Sequence, residues 1–157
     1  MSRKKIVGIS SAGGHLLELM KSIPNSYENE VIYITFKNGL TIDTLKNKSH
    51  FFIIDPHISK FKYVINFLQS LFLFIKIRPK VIISTGAGIA IPFVLIGSFF
   101  KTKIIFIETG ARISKPSRTG EFLYKYSDLF IIQYKSLSKF YPNSKIASLW
   151  KFFALLA

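Results

Sequence analysis

Short continuous apolar runs recur along the chain, separated by segments of helical period. Ile6-Val-Gly-Ile9, Val31-Ile-Tyr-Ile-Thr-Phe36, Phe51-Phe-Ile-Ile54, Lys80-Val-Ile-Ile-Ser84, Lys103-Ile-Ile-Phe-Ile107 and Asp128-Leu-Phe-Ile-Ile132 are such runs. They are rich in β-branched and aromatic residues and do not alternate with polar positions, which predicts strands covered on both faces. Helical stretches are predicted after Gly14-His15, over 61–77, over 89–100 with Pro92 in its first turn, and around 121–126. The polar stretch up to Ser49 holds at most a short helix, and 135–141 at most a last helical turn. Strands alternating with helices argue an α/β fold: a Rossmann-like parallel sheet with helices on both faces.

Two segments test that pattern. On the 61–77 helix Lys62, Asn66, Gln69, Ser70 and Lys76 form one polar stripe. Phe61, Val64, Ile65, Phe67, Leu68, Leu71, Phe72, Phe74 and Ile75 fill an arc wider than packing on one sheet requires. A core helix flanked on both sides explains this; otherwise the rim of the arc faces lipid or another protein. Residues 81–100 carry no charge and formally reach the length of a membrane span. Their glycines, their proline and the Val-Ile-Ile signature instead predict strand, loop and buried helix.

The length of 157 residues fits one domain, and 49% hydrophobic residues exclude a disordered chain. Cysteine is absent, so disulfides and thiolate metal sites are excluded, and no His/carboxylate pair has metal-ligand spacing. The apolar run behind the basic N-terminus is too short for a signal peptide. A net charge of +14, carried mostly by Lys rather than Arg, fits either a lysine-rich solvated surface or diffuse attraction to an anionic one. A membrane fits that better than nucleic acid, for which no motif is visible.

Candidate chemistry gathers where strands end, because ligands of such sheets bind beyond the strands' carboxyl ends. Three loops lie there: Ser10–His15, Thr85–Gly88 and Glu108–Arg118. The first lacks the lysine of a P-loop, and the second strand lacks the terminal carboxylate of a dinucleotide site. Its small residues Ser10, Ser11, Gly13 and Gly14 at a helix start still suit an anion, although a tight strand–helix turn would also need glycine. His15 is either a cap or a ligand-facing acid–base. Glu108 ends an apolar strand and needs a partner; Arg112 is the nearest candidate, in an ion pair or a substrate contact. Lys115, Arg118 and Lys125 read as a solvated basic rim, and His50 and His57 as surface residues.

Ser10-Ser-Ala-Gly-Gly-His-Leu-Leu-Glu18, Arg78 to Pro92, Ile107-Glu-Thr-Gly-Ala-Arg112, Lys115-Pro-Ser-Arg-Thr-Gly120 and Ser127 to Gln133 together resemble one family. It is the bacterial capsule and exopolysaccharide glycosyltransferase accessory subunit (PssD/EpsE type). That subunit is similar to the membrane-recruiting subunit of the eukaryotic two-chain UDP-N-acetylglucosamine transferase of dolichol-linked oligosaccharide synthesis. The resemblance implies the N-terminal, acceptor-side half of a GT-B glycosyltransferase, as in MurG-type enzymes. It implies a heterodimer at the cytoplasmic face of the cell membrane, held there peripherally and inactive without its partner. The partner subunit would bind most of the UDP-sugar donor, with no other cofactor, and the acceptor would be a polyprenyl-diphosphate-linked precursor. His15 and Glu108 are then the catalytic candidates; Ser10, Ser11, Gly13, Gly14, Thr85, Gly86, Gly88 and Arg112 are candidates for the acceptor diphosphate. A non-catalytic scaffold that recruits and activates the catalytic chain is the alternative. A self-sufficient nucleotide-binding enzyme lacks its motifs here. The resemblance covers residues 5 to about 145, so 1–145 is the expected domain and 146–157 an atypical apolar tail.

Overall fold

The structure, a computed structural model, describes residues 6–57 and 59–147. The tail residues from 148 onward lie outside the described residues.

The apolar runs form the strands β1 (Ile6–Ser10), β2 (Val31–Thr35), β3 (His50–Phe52), β4 (Val81–Gly86), β5 (Lys103–Ile107) and β6 (Leu129–Ile132). A further strand, β7 (Lys145–Ile146), pairs with β6 and carries the sheet past residue 145. The helices are α1 (Gly14–Ser22), α2 (Gly39–Leu45), α3 (Lys60–Ile77), α4 (Ile91–Phe99) and α5 (Arg118–Leu123). The sheet is parallel throughout, in the order β3-β2-β1-β4-β5-β6-β7. Residues 81–100 become β4, a loop and α4, and no helix among the described residues is long and apolar enough to cross a membrane.

Each face of the sheet is buried by its own helices. Val7, Ile9, Ile34, Ile82 and Phe106 pack with Phe74 of α3 and with Phe93 and Val94 of α4. On the other face Val31, Tyr33, Ile83 and Ile107 pack with Leu16 and Leu19 of α1 and Leu45 of α2. Strand order reverses between β1 and β4, so the loops leaving these neighbours diverge to opposite faces. A crevice at this point is where sheets of this kind take ligands.

Of the two packings expected for α3, the core helix flanked on both sides is not the one formed. The middle of its polar stripe faces inward: Asn66 and Ser70 are fully buried, while Lys62 and Lys76 at its ends are exposed. The Asn66 amide donates to the Ile54 carbonyl at 2.7 Å, and Gln69 Oε1 accepts the Ile54 N–H at 2.7 Å. The segment after β3 leaves the ladder at Ile54 with its backbone groups unpaired, and α3 supplies the partners. Of the apolar arc, Phe74 is buried, while Phe61, Val64, Leu68, Phe72 and Ile75 are exposed. The helix is flanked on one side, not two.

Candidate active site

The first loop turns sharply at Gly13, whose φ of 77° lies in the region that favours glycine. Gly13 is the N-cap of α1, and no side chain caps that helix. The amides of its first turn are therefore available to an anion. A Cβ at Gly13 or Gly14 would meet nothing within 4 Å, so the backbone there is openly approachable.

His15 is tied to the neighbouring strand. Its Nδ1 lies 2.9 Å from the Thr85 carbonyl oxygen, and the Thr85 hydroxyl donates to the His15 carbonyl at 2.7 Å. A carbonyl only accepts, so Nδ1 carries the proton. In the neutral ring Nε2 then holds the lone pair. Thr85 thus orients the imidazole, and its buried hydroxyl is already engaged.

His15 lines a cleft of about 600 Å³ with Ala87, Thr109, Arg112, Lys115, Pro116, Ser117, Arg118 and Thr119. The three loops do converge, each contributing to this lining. Arg112, Lys115 and Arg118 are exposed and no carboxylate lines the cleft, so its charge suits an anion. Lys115 and Arg118, read from sequence as solvated rim, line it directly; Lys125 lies elsewhere, beside Ser98 and Lys101. Ala87 has φ 70° and ψ 156°, a conformation that costs a residue with a Cβ about 1–3 kcal/mol. This strain sits at the crest between the cleft and a second depression of about 370 Å³. Ser11, Ala12, Gly88, Asp55 and His57 line the latter.

Ser10, Gly86 and Gly88, also expected at the diphosphate, are not in the lining of the larger cleft. Ser10 is fully buried and its hydroxyl has no partner. Gly86 is buried with φ 104°, and its N–H donates to Ser84 Oγ at 3.1 Å. Gly88 is needed for packing: a Cβ there would lie 2.6 Å from the Tyr63 hydroxyl oxygen of α3.

The expectation for Glu108 is corrected. It is 1% exposed, and its carboxylate is fully engaged below the cleft. Oε1 accepts the Thr109 N–H at 3.0 Å; Oε2 accepts the Ser117 N–H and hydroxyl, each at 3.1 Å, and the Tyr141 hydroxyl at 2.7 Å. Burial, then the hydrogen bond to Glu108 and that carboxylate's charge, push the Tyr141 phenol well above its ordinary value, so it remains a donor. Arg112 is not its ion-pair partner; the ion pair among the described residues joins Lys48 and Glu28. Glu108 closes the loop from Thr109 to Ser117 on its own stem. Glu18 Oε1 adds an anchor by accepting the Gly110 N–H at 2.8 Å, and Ser136 adds another by donating to the Ile113 carbonyl.

The sequence profile described as oligosaccharide biosynthesis protein Alg14 like matches residues 55–150, more than half of the chain. The chain belongs to the Alg14-like family. This Alg14-like chain is 39% identical over 86 residues to the UDP-N-acetylglucosamine transferase subunit ALG14 of Candida albicans, covering 51% of itself and 39% of that protein. Over 166 aligned positions it is 23% identical to the UDP-N-acetylglucosamine–N-acetylmuramyl-(pentapeptide) pyrophosphoryl-undecaprenol N-acetylglucosamine transferase of Borreliella afzelii. That match covers 92% of the chain and 44% of the transferase, so the Alg14-like chain spans less than half the length of either relative. Its fold matches Acinetobacter baumannii MurG with a TM-score of 0.68 at 13% identity, over 91% of this chain and 43% of that one. A UDP-N-acetylglucosamine 2-epimerase from Rickettsia bellii matches at 0.69 and 11%, over 91% and 42%. The Alg14-like domain therefore has the Rossmann-like fold of one half of such GT-B chains.

Proposed function

We propose that this chain is the acceptor-binding, membrane-associating subunit of a two-chain UDP-sugar glycosyltransferase acting on a polyprenyl-diphosphate-linked precursor. The observation that carries this reading is His15, held by Thr85 with Nε2 free, in a basic cleft at the point where strand order reverses. The acceptor's diphosphate sits against the amides at the start of α1 and the side chains of Arg112, Lys115 and Arg118. Nε2 takes the proton of the acceptor hydroxyl as its oxygen bonds to the sugar's anomeric carbon. The bond from that carbon to UDP breaks, and UDP leaves with the partner chain that bound it. One such domain aligns half of the reaction, and correct positioning is worth about 7–11 kcal/mol of barrier, so the partner is required. The chain works peripherally at the cytoplasmic face of an anionic membrane, in assembly of a capsular or other exported polysaccharide. The motif resemblance supports that setting, and the charge of +14 supports the membrane.

The test is transfer from labelled UDP-sugars to native lipid acceptor, by this chain alone and with a donor-binding partner. Transfer is expected only with the partner, and His15→Ala is expected to lower it roughly 10²-fold or more with the fold intact. Robust turnover by the chain alone would remove the half-enzyme reading. Near-normal transfer by the variant would remove His15 as base.

A further inference from the structure

The depression of about 370 Å³ beside the cleft has no part in the reaction described above. Phe36, Asp55, His57, Ser11 and Ala12 line it, and Ala87 stands in its wall and in that of the cleft alike. From Ser11 and Ala12 the same loop runs on through Gly13 and Gly14 to His15 of the cleft. One loop and one crest therefore separate two adjoining hollows. The size of the second falls within the range of about 300–1,000 Å³ usual for small-molecule sites.

The two hollows carry opposite chemistry. Arg112, Lys115 and Arg118 line the cleft without a carboxylate, whereas Asp55 lines the depression without a Lys or Arg. Asp55 is half-buried, and among the described residues its carboxylate receives one donor, the His57 N–H, on Oδ1 at 3.1 Å. Oδ2 is left to accept from a ligand. Its stem is rigid: Asn66 and Gln69 of α3 hold Ile54 on one side, and the Pro56 carbonyl accepts the Ser59 N–H at 2.9 Å on the other. Phe36 is half-buried and packed against the core, so its ring is equally fixed. A carboxylate without a cation repels phosphate. Asp55 and His57 are too few to hold a metal ion, and among the described residues no three such groups stand together. A fixed acceptor beside a fixed aromatic ring instead suits a neutral molecule rich in hydroxyls and carrying an apolar face. A pyranose is such a molecule: its hydroxyls donate to the carboxylate and its C–H face rests on the ring.

We propose that this depression is a saccharide subsite, in which Asp55 and Phe36 read the sugar joined to the acceptor's diphosphate. The proposal rests on the function above and names the part of the acceptor that decides specificity. With the diphosphate at the start of α1, the sugar ring lies over the crest at Ala12 and Ala87. One edge of the ring then faces His15 and presents the hydroxyl that reacts. The other edge faces Asp55, which accepts its hydroxyl hydrogens. The small side chains of the crest leave room for the ring, and the strained backbone of Ala87 sits where the two hollows meet. The inward polar groups of α3 gain a purpose as well, because Asn66 and Gln69 set the position of the residue before Asp55.

Isothermal titration of the full chain with citronellyl diphosphate, bare or carrying glucose, galactose or N-acetylglucosamine on its diphosphate, tests this. At least one sugar-bearing form is expected to bind about tenfold or more tightly than the bare form, the worth of a hydrogen bond to a charged group. In Asp55→Asn, whose Oδ1 still accepts the His57 N–H, the ratio of the two Kd values is expected to fall to near one. In Arg112→Ala both forms should weaken together and the ratio should persist. Phe36→Leu should lower the ratio from the aromatic side, and it decides the matter if Asp55→Asn melts at a lower temperature. In amide spectra of the ¹⁵N-labelled chain the sugar-bearing form is expected to move the signals of Phe36, Asp55 and His57. The bare form should move those of Gly14 and His15 instead. A ratio kept in both the Asp55 and Phe36 variants overturns the proposal. Subsite and function fail separately: bare diphosphate that binds with a ratio near one for all three sugars removes the subsite alone. Absence of binding by every form removes the function, and the subsite with it.

Discussion

Replacing Glu108 separates a carboxylate that does chemistry from one that builds the loop above it. In Glu108→Ala the Tyr141 hydroxyl, the Ser117 N–H and hydroxyl, and the Thr109 N–H all lose their acceptor. Each donor left unpaired in a buried setting costs about 1–3 kcal/mol. Tyr141 is 1% exposed and takes the full cost, while Ser117 is only half-buried and regains water. The sum is about 3–5 kcal/mol, a large part of a stability of about 5–15 kcal/mol. Glu108→Gln keeps one oxygen for Tyr141 and Ser117 and turns its amide on Thr109, at a cost of about 1–2 kcal/mol. Gly120→Ala attacks the same knot without touching the carboxylate, since a Cβ there would lie 2.3 Å from Glu108 Oε2 and 2.7 Å from the Tyr141 hydroxyl oxygen. Urea unfolding should rank the variants Gln, then Ala at position 108 as the more damaged. Transfer assayed with the partner should show Glu108→Gln and Gly120→Ala raising KM for the acceptor, through a displaced Arg112 and Lys115, more than they lower kcat. A folded Glu108→Gln with unchanged KM and a kcat as low as that of His15→Ala would refute this and put the carboxylate in the chemistry.

Three further outcomes follow from the same geometry. Inorganic pyrophosphate should bind the chain more weakly as salt rises, and Arg112→Ala and Lys115→Ala should each weaken it several-fold by isothermal titration, since exposed charges are screened within about 8 Å at physiological ionic strength. Gly88→Ala should lower the melting temperature through its contact with the Tyr63 hydroxyl, and Tyr63→Phe in the same chain should restore part of the loss. Burial, then the charge of Glu28, raises Tyr33 to about 12 from the usual 10, and Tyr141 rises too. The folded state holds these protons more tightly, so the stability involved is complete below about pH 10 and is lost as pH rises through the folded value; absorbance at 295 nm should show two tyrosines ionising only with unfolding.

The strands were legible because a strand covered on both faces needs an uninterrupted apolar run, and six such runs stand in the sequence. β7 was not: Lys145-Ile146 has no pattern, and only pairing with Ile131 and Ile132 makes it a strand. The meeting of three loops was legible from topology, since parallel strands deliver their following loops to one edge. Which side chains would face the cleft was not. Nearness in sequence suggested Arg112 for Glu108, whereas its partners Ser117 and Tyr141 stand 9 and 33 residues away. Thr85 as the holder of His15, across 70 residues, had no local signal beyond its place at a strand end.

α3 separates what periodicity tells from what it leaves open. Periodicity establishes which residues share a face; it does not say which face turns inward. Burial of apolar area ordinarily decides that, at about 25 cal/mol per Å². Here the opposing term comes from the chain beside the helix. Ile54 presents an N–H and a carbonyl beyond the end of β3, and leaving both unpaired in the interior would cost about 2–6 kcal/mol. Asn66 and Gln69 meet that need, and Ser70 donates to Asn66 Oδ1 at 3.3 Å to hold the amide. Leu73 and Phe74, on the same inward side, still pack against the sheet, so the helix keeps apolar contact while turning the middle of its polar stripe inward. The apolar stripe is what that choice leaves outside: Phe61, Leu68 and Phe72 stay exposed on the free domain.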